Sequence, residues 1–160
     1  MPASGKSTYV KQAWHIGPPQ VVSTDNIIEE IAAEYGYTYD EIFSDVIKFA
    51  EKVFWDDIEA AIDEGFDIAV DRTNMSVKSR QKFFNALKQH RYEFHAVVFR
   101  TPEETEWRNR LAGRSGKTIP EHVLTSMHNN FEMPTIAEGF TSVVEVVAVN
   151  GTFDHVTENA

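Results

Sequence analysis

The sequence predicts an α/β fold, a parallel sheet with helices on both faces. Three observations lead there. Short runs of β-branched residues alternate with longer stretches of helical periodicity, the pattern of strands joined by helical crossovers. Gly5-Lys6-Ser7-Thr8 stands immediately before an amphipathic segment. Asp25 and Asp71 lie at or just beyond the carboxyl ends of apolar runs, where open parallel sheets hold ligands.

The elements follow in order. A loop over residues 1–5 opens a helix to about His15, and Gly17-Pro18-Pro19 stops it. Gln20 to Ser23 forms a short strand, and Asp25 caps a helix to about Glu34. From Tyr39 a long helix carries Phe43, Ile47, Ala50, Phe54, Ile58 and Ala61 at three- and four-residue steps, and Gly65 ends it. Phe66 to Val70 is the most apolar strand, finishing at Asp71, with a loop through Asn74. A helix from about Ser76 to Gln89, a strand from Glu93 to Phe99 and a helix from about Pro102 to Ala112 come next. A basic loop, Gly113 to Lys117, precedes a helix started by Pro120, and a last strand runs near Val143 to Val149. Repeats, low-complexity tracts and Pro/Gly-rich linkers are absent from the sequence, so residues 1–160 are expected to form a single domain.

Composition narrows the function. The 160 residues are 42% hydrophobic and 25% charged, enough to bury a core. With no cysteine, thiolate metal sites, disulfides and cysteine nucleophiles are excluded. There is no run of 18 apolar residues to span a membrane and no apolar leader, so the expected address is cytoplasmic. The net charge of −10 argues against non-specific coating of nucleic acid. It is unevenly spread: residues 25–71 carry a balance of −13 and residues 72–117 a balance of +7. The acidic block reads as a solvated face, and the basic block equally as that or as a phosphate-handling surface.

Gly5-Lys6-Ser7-Thr8 is the second half of a Walker A loop, G-x-x-x-x-G-K-[ST]. Successive backbone N–H groups and a helix N-terminus make an anion cradle. Gly5 admits close approach of the phosphates, Lys6 bridges the β- and γ-phosphates, and Ser7 ligates Mg²⁺. The motif's first glycine would fall one residue before Met1, and the strand feeding the loop earlier still. A late start is therefore expected, with a purified protein heavier than 18.2 kDa.

Asp25 is a candidate general base for an acceptor hydroxyl, with a helix cap as the alternative. In Asp71-Arg72-Thr73-Asn74 the carboxylate is suited to the Mg²⁺ hydration shell or to the acceptor, and the polar side chains to a substrate phosphate or base; an Asx-type turn is the alternative. Arg108, Arg110 and Arg114 cluster at a helix end and in the loop after it, with Lys117 close by. Arg114 is the best lid arginine for the transferring phosphoryl group, and Arg108 or Arg110 the best holder of the adenine or triphosphate; a solvated basic helix face is the alternative. Lys78, Arg80 and Lys82 suit an acceptor backbone or a solvated face. The six histidines show no convincing metal spacing, and Trp14, Trp55 and Trp107 read as packing residues.

In order and spacing, Pro2 to Thr8, Ser23-Thr24-Asp25, Val70 to Asn74, Arg108-Asn109 with Arg114, and Ile119-Pro120 with Val123-Leu124 and Met127 resemble the kinase domain of phage polynucleotide 5′-kinases. The resemblance covers about residues 2–140 and extends to the wider P-loop kinase group. It implies a P-loop kinase-like sheet, its first strand missing from this chain, and transfer of the γ-phosphate of ATP to a 5′-hydroxyl of DNA or RNA, as in end repair. It also implies ATP with Mg²⁺ as cofactors. Ser4 to Thr8 with Arg108, Arg110 and Arg114 would bind nucleotide, with Ser7 on the metal. Asp25, Lys6 and Arg114 would be catalytic, and Asp71, Arg72, Thr73 and Asn74 would face the acceptor. Three departures stand out, the first being the missing initial glycine and strand of the loop. The family carries an arginine on the acceptor's 3′-phosphate three residues after the base, where this chain has Ile28, and losing that guanidinium removes a contact worth roughly 1.5–3 kcal/mol. Arg72 and Arg80 are the candidates to compensate. The chain also has neither the length nor a D-x-D motif for the phosphatase module of two-domain relatives. Two rival functions remain: a P-loop kinase for a sugar, nucleoside or antibiotic, and a degenerate, non-catalytic nucleotide-binding module.

Overall fold

The computed structural model describes residues 1–13, 19–149 and 152–159. The chain forms two compact units, one of Lys6–Arg72 with Ala112–Thr118, the other of Met1–Gly5, Thr73–Leu111 and Ile119–Ala160.

The first unit begins with α1 (Lys6–Ala13). The expected end of this helix at His15 and its Gly17-Pro18 stop lie outside the described residues. Strands β1 (Gln20–Val22) and β2 (Ile68–Val70) pair in parallel, with Val21 opposite Ala69. Helix α2 (Thr24–Tyr35) is capped by Ser23 and not, as expected, by Asp25. Ser23 has extended backbone, φ −146°, and its hydroxyl accepts the Asn26 N–H at 3.3 Å. An orphan donor of the first turn is thus served from two positions ahead of the acid, and Asp25 becomes an exposed first-turn residue.

Gly36 closes α2 at φ 74°, and α3 (Tyr39–Glu64) runs 26 residues to Gly65. At the start of α3 the Glu41 carboxylate accepts from both the N–H and the hydroxyl of Thr38, at 2.7 and 2.8 Å. The long apolar stripe sits one position earlier than expected at its start. Ile42 is buried while Phe43 is exposed, and the stripe then follows Ala50, Phe54, Ile58 and Ala61. Ile28 and Ala32 of α2 pack with Ile42 and Ala50 of α3.

The second unit holds a mixed sheet in the order β3 (His95–Phe99), β4 (Ser142–Val149), β5 (Thr152–Asn159). The β3–β4 pairing is parallel, as expected for a crossover connection. The β4–β5 pairing is antiparallel, with a bulge between Glu145 and Val146. β5 was not expected. Helices α4 (Val77–Leu87), α5 (Glu104–Ala112) and α6 (Glu121–Asn129) and a short 3₁₀ turn (Ile136–Glu138) complete it. Its core takes Phe83, Leu87, Trp107, Leu124, Val143 and Val146. Trp107 also donates its indole N–H to the Pro2 carbonyl at 2.8 Å, satisfying the polar end of a buried ring.

Arg80 belongs to this interior. Neither acceptor contact nor solvated face, it is 6% exposed. It forms a fork on Glu138 at 2.8 and 2.9 Å and donates to the carbonyls of Asn74 and Glu132. Among the described residues no helix is long and apolar enough to cross a membrane.

Candidate active site

The first unit brings together much of the expected site. Parallel pairing of β1 with β2 continues one step past the strands, where the Asp71 N–H donates to the Val22 carbonyl at 3.0 Å. Asp71 and the Ser23-Thr24-Asp25 turn therefore leave the same end of that two-stranded sheet. From α1, the Ser7 hydroxyl donates to Asp71 Oδ2 at 2.7 Å. Lys6, on the same helix, is acted on by Asp71, Asp25, Arg114 and Lys117. Burial pushes its ammonium below the usual lysine range, Arg114 and Lys117 push the same way, and the two carboxylates oppose them.

Asp25 has a donor on each oxygen. Tyr39 donates its phenol to Oδ1 at 2.9 Å and Lys117 its ammonium to Oδ2 at 2.7 Å. Burial acts to raise the carboxyl's pKa, but the hydrogen bond and charge of Lys117, the Tyr39 hydroxyl and the charge of Arg114 outweigh it. The acid is held below the usual aspartate range and is ionised at neutral pH. The same contact works in reverse on Tyr39: burial first, then the Asp25 charge, pushes the phenol well above its ordinary value.

Lys117, named in the sequence only as a neighbour of the arginines, is 8% exposed. Its Nζ also donates to Glu29 Oε1 at 2.8 Å and lies 3.9 Å from the centre of the Tyr39 ring. The surrounding loop is seated on the start of α3. The Asp40 N–H donates to the Gly116 carbonyl at 3.1 Å, and the Thr118 N–H to Asp40 Oδ2 at 2.7 Å. Gly116 has φ 69°, and a Cβ there would stand 2.8 Å from Thr38 Cβ. Spacing gave no cue to this, because Asp25 and Lys117 are 92 residues apart.

The remaining expected residues are placed as follows. Thr8 is exposed on α1. Arg72 is turned to Glu51, with its guanidinium 4.7 Å from the centre of the Phe54 ring. In the second unit, Ser4 is 1% exposed and donates its hydroxyl to the Met1 carbonyl at 2.8 Å. Gly5 has φ 101°, a backbone glycine tolerates best. Thr73 is exposed, and Asn74, at φ 41°, offers its carbonyl to Arg80. Arg108, exposed, pairs with Glu104 and Glu121, and Arg110, partly buried, pairs with Glu106. Both candidates to stand in for the acceptor arginine are paired with carboxylates, Arg72 with Glu51 and Arg80 with Glu138.

A lysine and a hydroxyl on the first turn of α1, a strand-end carboxylate and a second acid on the first turn of α2 define a P-loop protein. A family model described as AAA domain matches residues 1–134, and the chain belongs to that family. The chain is also 29% identical over 111 residues to a bifunctional polynucleotide phosphatase/kinase of Schizosaccharomyces pombe. That match covers 68% of this chain and 27% of the relative, so the chain spans about a quarter of that protein's length. Family and relative together support the resemblance to P-loop kinases read from the sequence.

Proposed function

We propose that this chain is an ATP-dependent polynucleotide 5′-hydroxyl kinase, residues 1–160 acting as one kinase domain. The observation that carries the reading is the gathering of Lys6, Ser7, Asp71, Asp25 and Arg114 in one unit around a half-buried lysine. Lys6 holds the donor phosphates, and Arg114 stabilises charge spread over the transferring group. Asp25 accepts the proton of the acceptor hydroxyl as its oxygen attacks in line and ADP leaves. Ser7 and Asp71 suit Mg²⁺: they are hard oxygen donors in mutual contact, and Mg²⁺ takes few protein ligands and keeps its waters. When bound, the ion would neutralise developing phosphate charge. The nucleic-acid acceptor draws its support from the polynucleotide kinase relative.

A second reading, a small-molecule acceptor, is favoured by Ile28, which is completely buried, and by the engagement of Arg72 and Arg80. The test incubates the protein with γ-labelled ATP, Mg²⁺ and either a 5′-hydroxyl oligonucleotide or a panel of sugars and nucleosides. Label on the oligonucleotide is expected; label confined to the panel establishes the second reading. Asp25→Asn is expected to lower turnover at least about 100-fold while ATP still binds. Unchanged turnover would remove Asp25 as the base.

A further inference from the structure

We infer that Lys117 is the positioning residue for Asp25: its ammonium, fixed in a socket formed by α2 and α3, aims the carboxylate that receives the acceptor proton. This rests on the kinase reading above. A carboxylate on an exposed first turn rotates unless both oxygens are restrained. Here Lys117 takes one and the Tyr39 phenol the other. Each oxygen accepts two hydrogen bonds, so acceptor capacity remains for an incoming hydroxyl.

The cation itself is held firmly. Its Nζ is shared with Glu29, its charge lies over the Tyr39 ring, and its backbone is seated by the two bonds between Asp40 and the Gly116–Thr118 segment. Sharing with Glu29 leaves the three-group cluster with one net negative charge, so Asp25 is oriented without being wholly neutralised. The charged or titratable groups facing this carboxylate are Lys117 and Arg114 from the loop, Tyr39 from α3, Glu29 from its own helix and Lys6 from α1.

The test compares the parent with Lys117→Met, Lys117→Gln, Asp25→Asn and the double variant Asp25→Asn/Lys117→Met, using a 5′-hydroxyl oligonucleotide. Asp25 and Glu29 are about half exposed and can be solvated once the cation is gone, so Lys117→Met is expected to fold. Its kcat is expected to fall about tenfold or more, with ATP affinity within about threefold of the parent. In the Asp25→Asn background the same change should cost nothing further, because Lys117 acts through the acid. If Lys117→Met does not fold, Lys117→Gln, which keeps a donor and loses the charge, carries the same comparison. Unchanged kcat, or an equal loss in both backgrounds, overturns the proposal. If Asp25→Asn is fully active, or the parent labels no oligonucleotide, the polynucleotide kinase reading fails instead. Lys117 is then judged by the ¹³C resonance of the Asp25 carboxyl, which should titrate at higher pH in the lysine variant; an unmoved midpoint overturns the proposal.

Discussion

At the scale of single residues, proximity was legible at positions where a short motif fixes the local geometry. Lys6, Ser7 and Asp71 are such positions. What the sequence hid was the company each side chain keeps across the fold. Arg72 read as an acceptor contact, and Arg80 as an acceptor contact or a solvated face, because charge is visible in a string of letters, whereas their partners Glu51 and Glu138 lie 21 and 58 residues away. Thr24 is a further case. It is 5% exposed, and its hydroxyl is the buried polar side-chain atom that lacks a partner among the described residues. Since an unsatisfied buried hydroxyl costs about 1–3 kcal/mol, Thr24→Val is expected to raise unfolding stability by about 1 kcal/mol in a denaturant titration. A decrease would reveal a buried water on that hydroxyl.

At the scale of elements, helix ends and strand cores followed from capping residues and apolar periodicity, while their exact registers did not. Ser23 displaced Asp25 from the cap because both are good capping residues two positions apart, and only the backbone decides between them. The antiparallel β5 went unread although Asn150-Gly151 is a strong hairpin signal; the polar composition of Thr152–Asn159 masked it. Two element-level outcomes follow. Gly116→Ala puts a methyl group 2.8 Å from Thr38 at a left-handed position, so it should cost about 1–3 kcal/mol and lower turnover by unseating the loop from α3. Thermal unfolding and single-turnover transfer would measure both. In the other unit, Arg80 on α4 and Glu138 on the 3₁₀ turn form a buried pair. The Arg80 hydrogen bond first, against a smaller burial effect, holds the Glu138 carboxyl below the usual range. Its stabilising contribution is therefore complete above the ordinary glutamate value and is lost as pH falls through the lowered one. Glu138→Gln leaves a buried guanidinium uncompensated and should cost about 3–5 kcal/mol at neutral pH, with a shallower loss of stability on acidification than the parent shows.

At the scale of the whole molecule, alternating β and α segments announced the fold class, and membership of the AAA-domain family agrees with it. A net charge of −10 makes the acceptor question experimentally sharp. If the acceptor is a polynucleotide, its KM should climb with added salt as phosphate contacts are screened, while an uncharged small acceptor should give a flat response. The buried Ile28 has a consequence for anyone wishing to re-engineer this chain. Grafting a guanidinium onto that rung of α2 would force it into an oily seam between two helices, where an unpaired cation is ejected or the seam comes apart. A guanidinium meant for an anionic acceptor must therefore be introduced from outside that seam, leaving Ile28 in place.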